Sequence, residues 1–302
     1  MANGESAPRV VAVILNWNSG EDTVACVEST LAQDYAALDV WVVDNGSFDG
    51  ALESVGARFP SVRLVQLPQN LGYAGGNNRA IDLALDESAD FVLLLNSDVR
   101  LGPSMVSLLV SHAGPTVGAV GPTVYDFEPA DRVQSTGRIF DCRSARSENR
   151  TDRAQHDVRP VDAVSGCAML MSASALRRVG RFDEDFFAYS EEVEWCIRAR
   201  AAGFSILHVD PASVWHRSMS TVPGNLYFFL ITRNNLWVIR KHCRGIDRIL
   251  GVLRFALLEA PRSVVGLLRE GRQGAAAAVI QGVGWHLGLF RANNPLTQIT
   301  RR

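Results

Sequence analysis

The sequence predicts an α/β fold with a mostly parallel central sheet and helices on both of its faces. Three observations predict it. Short, purely apolar runs alternate with helical patterns over the first hundred residues, as in strands that are buried on both faces. Polar turn residues follow three of these runs at their carboxyl ends. The 302 residues, 47% hydrophobic and 21% charged, are enough for a real core and exclude collagen-like, disordered and disulfide-scaffold classes.

The first part of the chain predicts strands and helices in alternation. The strands are residues 10–15, 40–43, 62–67 and 91–95, and the helices are 22–33, 50–59 and 75–85. Such alternation is typical of parallel sheets, because parallel strands need a long crossover connection.

The pattern is looser beyond residue 100. It predicts helices at 103–112, 173–179 and 191–202, strands at 117–125, 164–171 and 205–209, and a hairpin or mobile loop in the polar stretch 126–160. From residue 226 onward the chain is helical and amphipathic, with interruptions near Gly245, Pro261 and residues 271–274.

The net charge of −2 conceals an asymmetry. Residues 233–302 carry 12 basic and 3 acidic side chains, a local charge of +9, whereas residues 1–232 carry 18 and 29, a charge of −11. Because aromatic and aliphatic residues are interleaved with the arginines of this tail, we predict contact with an anionic membrane surface rather than with nucleic acid. Core packing of terminal helices, or a homo-oligomer interface through them, is the alternative.

Five scattered cysteines without a CxxC motif, Cys26, Cys142, Cys167, Cys196 and Cys243, predict reduced thiols and argue against a zinc cluster. The polar N-terminus lacks the apolar run of a signal peptide, and no stretch has the roughly 20 clearly apolar residues of a spanning helix. We therefore expect a cytoplasmic protein, free or peripheral on the inner face of the cell membrane.

Three polar clusters follow predicted strands, at residues 16–18, 44–47 and 96–98. In open parallel sheets ligands bind at the carboxyl ends of the strands, and these clusters suit a nucleotide. Trp17 could stack on a base, Asp44 could accept a hydrogen bond from the base or ribose, and Asp98 could hold a cation beside phosphates. Hard oxygen ligands favour Mg²⁺ or Mn²⁺.

The Gly-rich loop at residues 70–78 precedes a predicted helix, so its amides could face a phosphate. It matches neither GxGxxG nor the P-loop pattern, which disfavours a nicotinamide-dependent oxidoreductase. A close-packed helix entry is the alternative reading of this loop.

A second centre lies at residues 186–195, where aromatic residues run up to Glu191, Glu192 and Glu194 at the start of a predicted helix. The helix dipole favours carboxylates there, so a solvated first turn is one reading and a general base is the other. His216 follows a predicted strand and is either structural or a ligand.

Taken in order, these pieces resemble the inverting family 2 glycosyltransferases with the GT-A fold, and especially the bacterial branch that contains rhamnosyltransferases of cell-wall and O-antigen assembly. The resemblance covers residues 10 to about 242. It rests on VAVILNWNSG (11–20), VVDNGSFDG (42–50), NLGYAGGNNRAI (70–81), LLLNSDV (93–99), the stretch 165–204 and the pair Arg233-Asn234.

The resemblance implies roles for individual residues. Asp98 and His216 would hold Mg²⁺ or Mn²⁺, Glu192 would be the base with Glu191 as the alternative, and Trp195 and Arg233 would lie on the acceptor side. Asn96 replaces the first Asp of the family's DxD motif, and Asn77 stands where many relatives have Arg. The residues expected to contact the nucleotide sugar are Asn16, Trp17, Asn18, Asp44, Asn45, Gly72, Asn77, Asn78, Asn96 and Ser97.

The implied organisation is a GT-A catalytic domain at residues 1–225, with a nucleotide-binding half at about 9–100 and an acceptor half at about 101–225, followed by a basic helical region at 226–302. The implied function is inverting transfer from a nucleoside-diphosphate sugar to a glycan or polyprenyl-diphosphate-linked acceptor in cell-envelope assembly. dTDP-rhamnose and UDP-hexoses are the candidate donors. A nucleotide-sugar binding module without activity is the competing reading, on the basis of Asn96.

Overall fold

A computed structural model describes residues 7–218 and 224–289. The first part has the predicted alternation of strands and helices. Its elements are β1 (Val10–Asn16), α1 (Gly20–Leu31), β2 (Leu38–Asp44), α2 (Ala51–Arg58), β3 (Arg63–Gln66), α3 (Gly72–Asp86) and β4 (Phe91–Asn96).

The middle of the chain completes the sheet and adds a hairpin. Its elements are β5 (Val99–Leu101), α4 (Met105–Ser111), β6 (Val117–Asp126), β7 (Val133–Ser135), β8 (Arg138–Asp141), β9 (Arg146–Asn149), β10 (Val158–Pro160), β11 (Ala168–Ser172), α5 (Ala173–Val179), α6 (Glu191–Ala201) and β12 (Ser205–His216). A 3₁₀ turn at Glu184–Phe186 precedes α6.

The C-terminal region is helical in its described part, as predicted, and residues 290–302 of the prediction lie outside the described residues. It contains α7 (Gly224–His242), α8 (Gly245–Arg254), a π-helical segment at Phe255–Glu259, α9 (Ala260–Arg269) and α10 (Gln273–Trp285). None of the helices in the two described ranges combines the length and apolarity that a bilayer crossing needs.

The central sheet has the order β10-β12-β6-β11-β4-β1-β2-β3, with β5 paired to β12 and β7 to β6. Strands β1 to β4 are parallel to their neighbours in this group, and β12 is parallel to β6. Strand β11 is antiparallel to both β4 and β6. The predicted mostly parallel sheet is therefore confirmed, with an antiparallel strand at its centre that strand composition alone did not predict.

The apolar run of β1 explains its place in the middle of the sheet. Val11 and Val13 belong to the core on one face, and Val10, Ala12 and Ile14 belong to the core on the other face. Because both faces are covered, no position along the strand tolerates water, and the run has no polar alternation.

The polar stretch 126–160, predicted as a hairpin or a mobile loop, contains a hairpin and also contributes β7 and β10 to the central sheet. Strands β8 and β9 make a separate two-stranded antiparallel sheet with Arg138 opposite Asn149. The tip of this hairpin packs on α8, where the backbone of Cys142 leaves no room for a Cβ at Gly251.

The expectation of five reduced thiols is wrong. Cys142 and Cys243 are joined by a disulfide with a Cα–Cα distance of 5.6 Å, which ties the hairpin to the end of α7. Cys26, Cys167 and Cys196 are free and buried. The cysteine pattern misled because partners 101 residues apart leave no local spacing signal, and the argument from thiols to a cytoplasmic setting loses its basis.

Candidate active site

A cleft of about 400 Å³ opens at the carboxyl ends of β1 and β4 and is bordered by the start of α6. The strand register explains its place, because Asn16 lies opposite Asp44 and Leu15 opposite Asn96, so the three strand ends meet. Nine predicted site residues line the cleft: Trp17, Asn45, Gly72, Asn96, Ser97, Asp98, Glu191, Glu192 and His216.

Asn16 and Asp44 lie behind the cleft and hold its turns in place. Asn16 Nδ2 donates to Asp44 Oδ1 at 3.0 Å, and Asp44 Oδ2 accepts from the backbone N–H of Ser47 at 3.1 Å. Asn18, with a φ of 51°, accepts from the backbone N–H of Phe48 at 3.1 Å. These three residues, which were predicted to contact the nucleotide, therefore hold the turns beside the cleft and are not among its lining residues.

Asn45 fastens the Gly-rich loop to the end of β2. Its Nδ2 donates to Asn70 Oδ1 and to the carbonyl oxygen of Gly72, both at 3.0 Å, and its Oδ1 accepts from the backbone N–H of Leu71 at 3.0 Å. Gly72 has a φ of 76°, and a Cβ there would collide with the carbonyl oxygen and ring of Phe187. The loop is thus shaped for close backbone packing at the cleft wall.

Asn77 and Asn78, two predicted nucleotide-sugar contacts, are not among the lining residues of the cleft. Both are buried in α3. Asn77 Nδ2 donates to the carbonyl oxygen of Tyr73 at 3.0 Å, and Asn78 exchanges hydrogen bonds with the backbone of Phe182 at 3.0 and 3.1 Å. Asn78 thus binds α3 to the segment before the 3₁₀ turn, whereas the amide group of Asn77 bonds within α3 and its Oδ1 is buried without a partner.

The predicted metal ligands come together in the cleft. His216 Nε2 lies 3.3 Å from Asp98 Oδ1 and 3.3 Å from Asn96 Nδ2. His216 stands at the end of β12, which runs beside β5, so this strand pairing brings it to the strand-end cluster. Within residues 7–218 and 224–289, no three His, Cys, Asp or Glu side chains converge into a metal cluster. One carboxylate and one imidazole nevertheless suit a cation that is bound mainly through substrate phosphates and water.

Two carboxyl groups face the cleft from the first turn of α6. Burial, and then the charge of Glu192, raise the pKa of Glu191 well above its ordinary value, and its Oε2 is buried without a hydrogen-bond partner. Glu192 Oε1 lies 3.8 Å from Arg138 Nη1. The hydroxyl of Tyr73 donates to the carbonyl oxygen of Gly166 at 2.5 Å, and burial followed by the nearby Glu191 raises its pKa too. Glu191 is therefore the carboxyl group of the pair whose surroundings oppose ionisation.

The backbone leading to these carboxyl groups is strained. Phe187, Tyr189 and Ser190 have φ angles of 63°, 71° and 70°, a region that side chains disfavour. Asn234 Nδ2 lies 2.7 to 3.0 Å from the carbonyl oxygens of Phe186, Ala188 and Tyr189. Arg233 Nη2 donates to the carbonyl oxygens of Asp185 and Phe186, both at 2.8 Å. We call Arg233 and Asn234 the α7 clamp.

The predicted acceptor-side residues lie elsewhere. Trp195 is fully buried and donates from Nε1 to the carbonyl oxygen of Gly180 at 2.7 Å. Arg233 is buried in the clamp among the rings of Phe229, Trp237 and Trp285, and burial lowers its pKa to about 10. The structure places neither side chain at the cleft.

Sequence reasoning missed several lining residues. Gln134, Arg138 and Asn149 come from the polar stretch 126–160, and Tyr73 and Tyr227 come from α3 and α7. The polar stretch offers no periodic signal for the first three. Tyr73 lies inside the Gly-rich loop, and an aromatic residue in such a loop was the signal that could have indicated it.

The family model described as "Glycosyltransferase like family 2" matches residues 8–239, which include every lining residue of the cleft. The chain belongs to glycosyltransferase family 2. The family prediction is therefore confirmed, and the alternative of a nicotinamide-dependent oxidoreductase is wrong.

Curated relatives and solved structures agree with this membership. This glycosyltransferase is 30% identical over 235 residues to the N-acetylglucosaminyl-diphospho-decaprenol L-rhamnosyltransferase of Mycobacterium tuberculosis, covering 66% of this chain and 76% of that one. It is 28% identical to the low-salt glycan biosynthesis hexosyltransferase Agl10 of Haloferax volcanii, covering 64% of this chain and 62% of that one.

The GT-A fold is confirmed by a solved structure. The mannosyltransferase PcManGT of Pyrobaculum calidifontis, in complex with GDP-Man and Mn²⁺, aligns with a TM-score of 0.60 and 16% identity over 98% of this chain and 85% of that chain.

Proposed function

We propose that this glycosyltransferase moves a sugar, with inversion, from a nucleoside-diphosphate donor to a hydroxyl group of a glycan or polyprenyl-diphosphate-linked acceptor. The observation that carries the proposal is one cleft with Asp98 and His216 at the strand ends and Glu191 and Glu192 on the facing helix. The name of the mycobacterial relative supports rhamnose as the donor sugar, and the acceptor class is drawn from the same name.

Glu192 is the proposed base. Its carboxylate takes the proton of the acceptor hydroxyl while the acceptor oxygen forms a bond to the anomeric carbon. The bond from that carbon to the phosphate oxygen breaks, and its electron pair leaves with the nucleoside diphosphate. Glu192 is chosen over Glu191 because Arg138 lies 3.8 Å from it, whereas burial opposes ionisation of Glu191 and raises its pKa.

Asp98 and His216 are the proposed ligands of Mg²⁺ or Mn²⁺. A divalent cation there supplies Lewis-acid stabilisation of the leaving diphosphate. Asn96 supplies a neutral amide at the position where the family motif has a second carboxylate. Asp98 is therefore the single carboxylate that this proposal offers to the cation.

A thermal-shift screen tests the donor. dTDP-rhamnose, UDP-glucose, UDP-N-acetylglucosamine and GDP-mannose are added with and without Mn²⁺, and binding raises the melting temperature. We expect dTDP-rhamnose with Mn²⁺ to give the largest rise, followed by transfer to a polyprenyl-diphosphate-linked sugar. A larger rise with a UDP-hexose identifies the alternative donor, and donor binding without transfer or hydrolysis supports the inactive binding module instead.

We further propose that the C-terminal helices rest on an anionic membrane surface, where a lipid-linked acceptor would lie. We call the exposed apolar side chains of α8, the π-helical segment and α9 the lipid face. Arginines of the same region, among them Arg248, Arg262 and Arg269, are exposed. Apolar side chains with neighbouring cationic ones suit anionic lipid. The members of the lipid face are Ile246, Ile249, Leu253, Leu257, Leu258, Val265 and Leu268, which are 43 to 66% exposed.

Flotation with vesicles of phosphatidylglycerol and phosphatidylcholine tests the lipid face. We expect binding that weakens as salt increases, and weaker binding in the variant Ile249→Glu/Leu257→Glu. Leu31→Glu, on the exposed side of α1, is the matched control and should float like the wild type. A stable dimer in sedimentation, with no flotation, would instead identify a second copy of the chain as the occupant of this face.

A further inference from the structure

The imidazole of His216 is held from behind by a side chain of the polar stretch. His216 Nδ1 lies 2.9 Å from Gln134 Oε1, on the opposite side of the ring from Asp98. Gln134 Nε2 donates to Asp126 Oδ1 at 2.9 Å and to Ser218 Oγ at 2.6 Å. Asp126 in turn pairs with Arg132. Four side chains thus form a hydrogen-bonded chain that ends at His216.

The hydrogen bonds among these side chains can be donated in one direction only. A carboxylate such as Asp126 accepts hydrogen bonds only, so the group of Gln134 that faces it is the NH₂ group. The carbonyl oxygen of Gln134 therefore faces His216. A carbonyl oxygen accepts only, so Nδ1 carries the proton, and in neutral His216 the lone pair is on Nε2, where the Nδ2 group of Asn96 lies 3.3 Å away as a donor.

The nearby hydroxyl of Ser218 does not alter this result. Ser218 Oγ lies 3.2 Å from His216 Nδ1, farther than the Gln134 oxygen. If that hydroxyl donated to Nδ1, the Gln134 oxygen and the ring nitrogen would face each other at 2.9 Å without a hydrogen between them, which is repulsive.

We propose that Gln134 is a positioning residue that fixes His216 in the Nδ1–H tautomer and so presents the Nε2 lone pair beside Asp98. The proposal rests on the proposed function of His216 and Asp98 as ligands of a divalent cation. Partners that orient a ligating histidine typically change metal affinity about 10- to 100-fold. The same contact fixes the ring orientation before any donor enters the cleft.

The first test reads the tautomer directly, without metal. Long-range ¹H–¹⁵N correlation spectra of the ¹⁵N-histidine-labelled full chain at pH 8 separate the two tautomers, and the spectrum of His216→Ala identifies the signal. We expect the Nδ1–H form in the wild type and a large share of the Nε2–H form in Gln134→Met. Gln66→Met, the same substitution on the exposed edge strand β3, should leave the signal unchanged.

The second test reads cation affinity with Mn²⁺ alone, by electron paramagnetic resonance of the free ion. We expect Gln134→Met to weaken Mn²⁺ binding about tenfold or more. The swapped pair Gln134→Glu/Asp126→Asn keeps the direction of the chain, because the new amide donates and the new carboxylate accepts, so it should restore binding. Gln66→Met, on the exposed edge strand β3, should bind Mn²⁺ like the wild type.

The outcomes separate this proposal from the proposed function. An unchanged tautomer in Gln134→Met, or weakened binding that the swapped pair does not restore, overturns the role of Gln134. A wild-type protein with the Nδ1–H tautomer that does not bind Mn²⁺ overturns the metal function of His216 and Asp98, while the positioning of the ring by Gln134 still stands.

Discussion

Two adjacent carboxyl groups on one turn of α6 have different surroundings at the scale of single residues. Glu191 is buried and its Oε2 has no hydrogen-bond partner, so burial raises its pKa well above the ordinary 4.5. Glu192 faces the cation of Arg138. This difference in surroundings is the basis on which we propose Glu192, rather than Glu191, as the base.

Substitutions of this pair should therefore differ in effect. Glu192→Gln removes the proton acceptor, and we expect turnover to fall by about 10²- to 10⁴-fold while donor binding stays nearly intact. Glu191→Gln mimics a protonated carboxyl group and should lower turnover by less than about tenfold. Steady-state rates and donor affinity by calorimetry measure both, and the reverse ranking would move the base to Glu191.

The raised pKa of Glu191 also predicts a pH effect on stability. Its folded-state pKa exceeds the unfolded one, so stability falls as pH rises from about 4.5 toward the folded-state value, because the buried group resists ionisation. Glu191→Gln has no such group, so its melting temperature should fall less than that of the wild type over this range. Parallel curves for both proteins, recorded by scanning calorimetry, would contradict the assignment.

Asp98 carries the negative charge of the proposed cation site. We expect Asp98→Asn to weaken Mn²⁺-dependent binding of the nucleoside diphosphate about tenfold or more, since Asn96 already supplies a neutral amide beside it. Calorimetric titration with and without Mn²⁺ measures this. Asp39→Asn, on the exposed start of β2, is the control, and equal losses in the two variants would argue against a cation at Asp98.

The sequence predicted the strand-end part of the cleft because turn chemistry and strand order determine where such residues meet. It could not predict Gln134, because its approach to His216 depends on how β7 pairs with the end of β6. It also could not separate a buried arginine that binds backbone carbonyls, such as Arg233, from one that binds a ligand. The sequence identifies Arg233 as a cationic residue but does not show in which direction its side chain points.

At the scale of elements, Glu194 joins α6 to α7. Its buried carboxylate lies 2.7 Å from Lys241 Nζ, 3.0 Å from His242 Nε2 and 2.8 Å from Arg198 Nε. Burial raises the pKa of Glu194, but the hydrogen bonds from His242 and Lys241 and the charge of Arg198 outweigh burial and lower it to about 2. The cluster stabilises the packing of the two helices around the carboxylate.

Glu194→Gln should therefore destabilise the protein, by about 2 kcal/mol after allowing for the partly exposed partners. The stabilisation by a carboxylate with a lowered pKa is present above about 4.5 and is lost as pH falls toward 2. The difference between variant and wild type in urea unfolding should thus shrink in that window. Glu28→Gln, in an exposed pair with Arg58, should cost less than about 1 kcal/mol at any pH.

Element boundaries were predicted well where the apolar pattern was continuous and poorly where it was broken. The predicted strand 205–209 continues as β12 to His216, and its register shifts between Val209 and Ser213, where Asp210 and Pro211 interrupt the pattern. Strand β5 has three residues, too few for a period. Helix α3 begins at Gly72 rather than Gly75, because the glycines that looked like loop residues allow close packing.

At the scale of the whole molecule, the disulfide between Cys142 and Cys243 closes a loop across the hairpin, α6, β12 and α7. Cross-linking residues 101 apart stabilises a fold by up to about 4–5 kcal/mol through the entropy of the unfolded chain. We expect dithiothreitol to lower the melting temperature. The variant Cys142→Ser/Cys243→Ser should have a lower melting temperature than the wild type, and dithiothreitol should not change it. If dithiothreitol still lowered the melting temperature of this variant, another thiol would be responsible.

The charge asymmetry corresponds to a division in the structure. The acidic part contains the sheet and the cleft carboxylates, and the basic part contains the helices that carry the lipid face. The charge changes sign near residue 232, inside α7, so the charge boundary need not be a boundary of the folded unit.

The α7 clamp has a practical consequence for anyone who recombines these enzymes. Arg233 and Asn234 support the strained backbone that aims Glu191 and Glu192, and Lys241 and His242 complete the pairing of Glu194. A chain cut at residue 225 would lose all four side chains. Chimeras that exchange the helices after α7 between relatives should therefore be joined after Cys243, so that each sheet domain keeps its own α7.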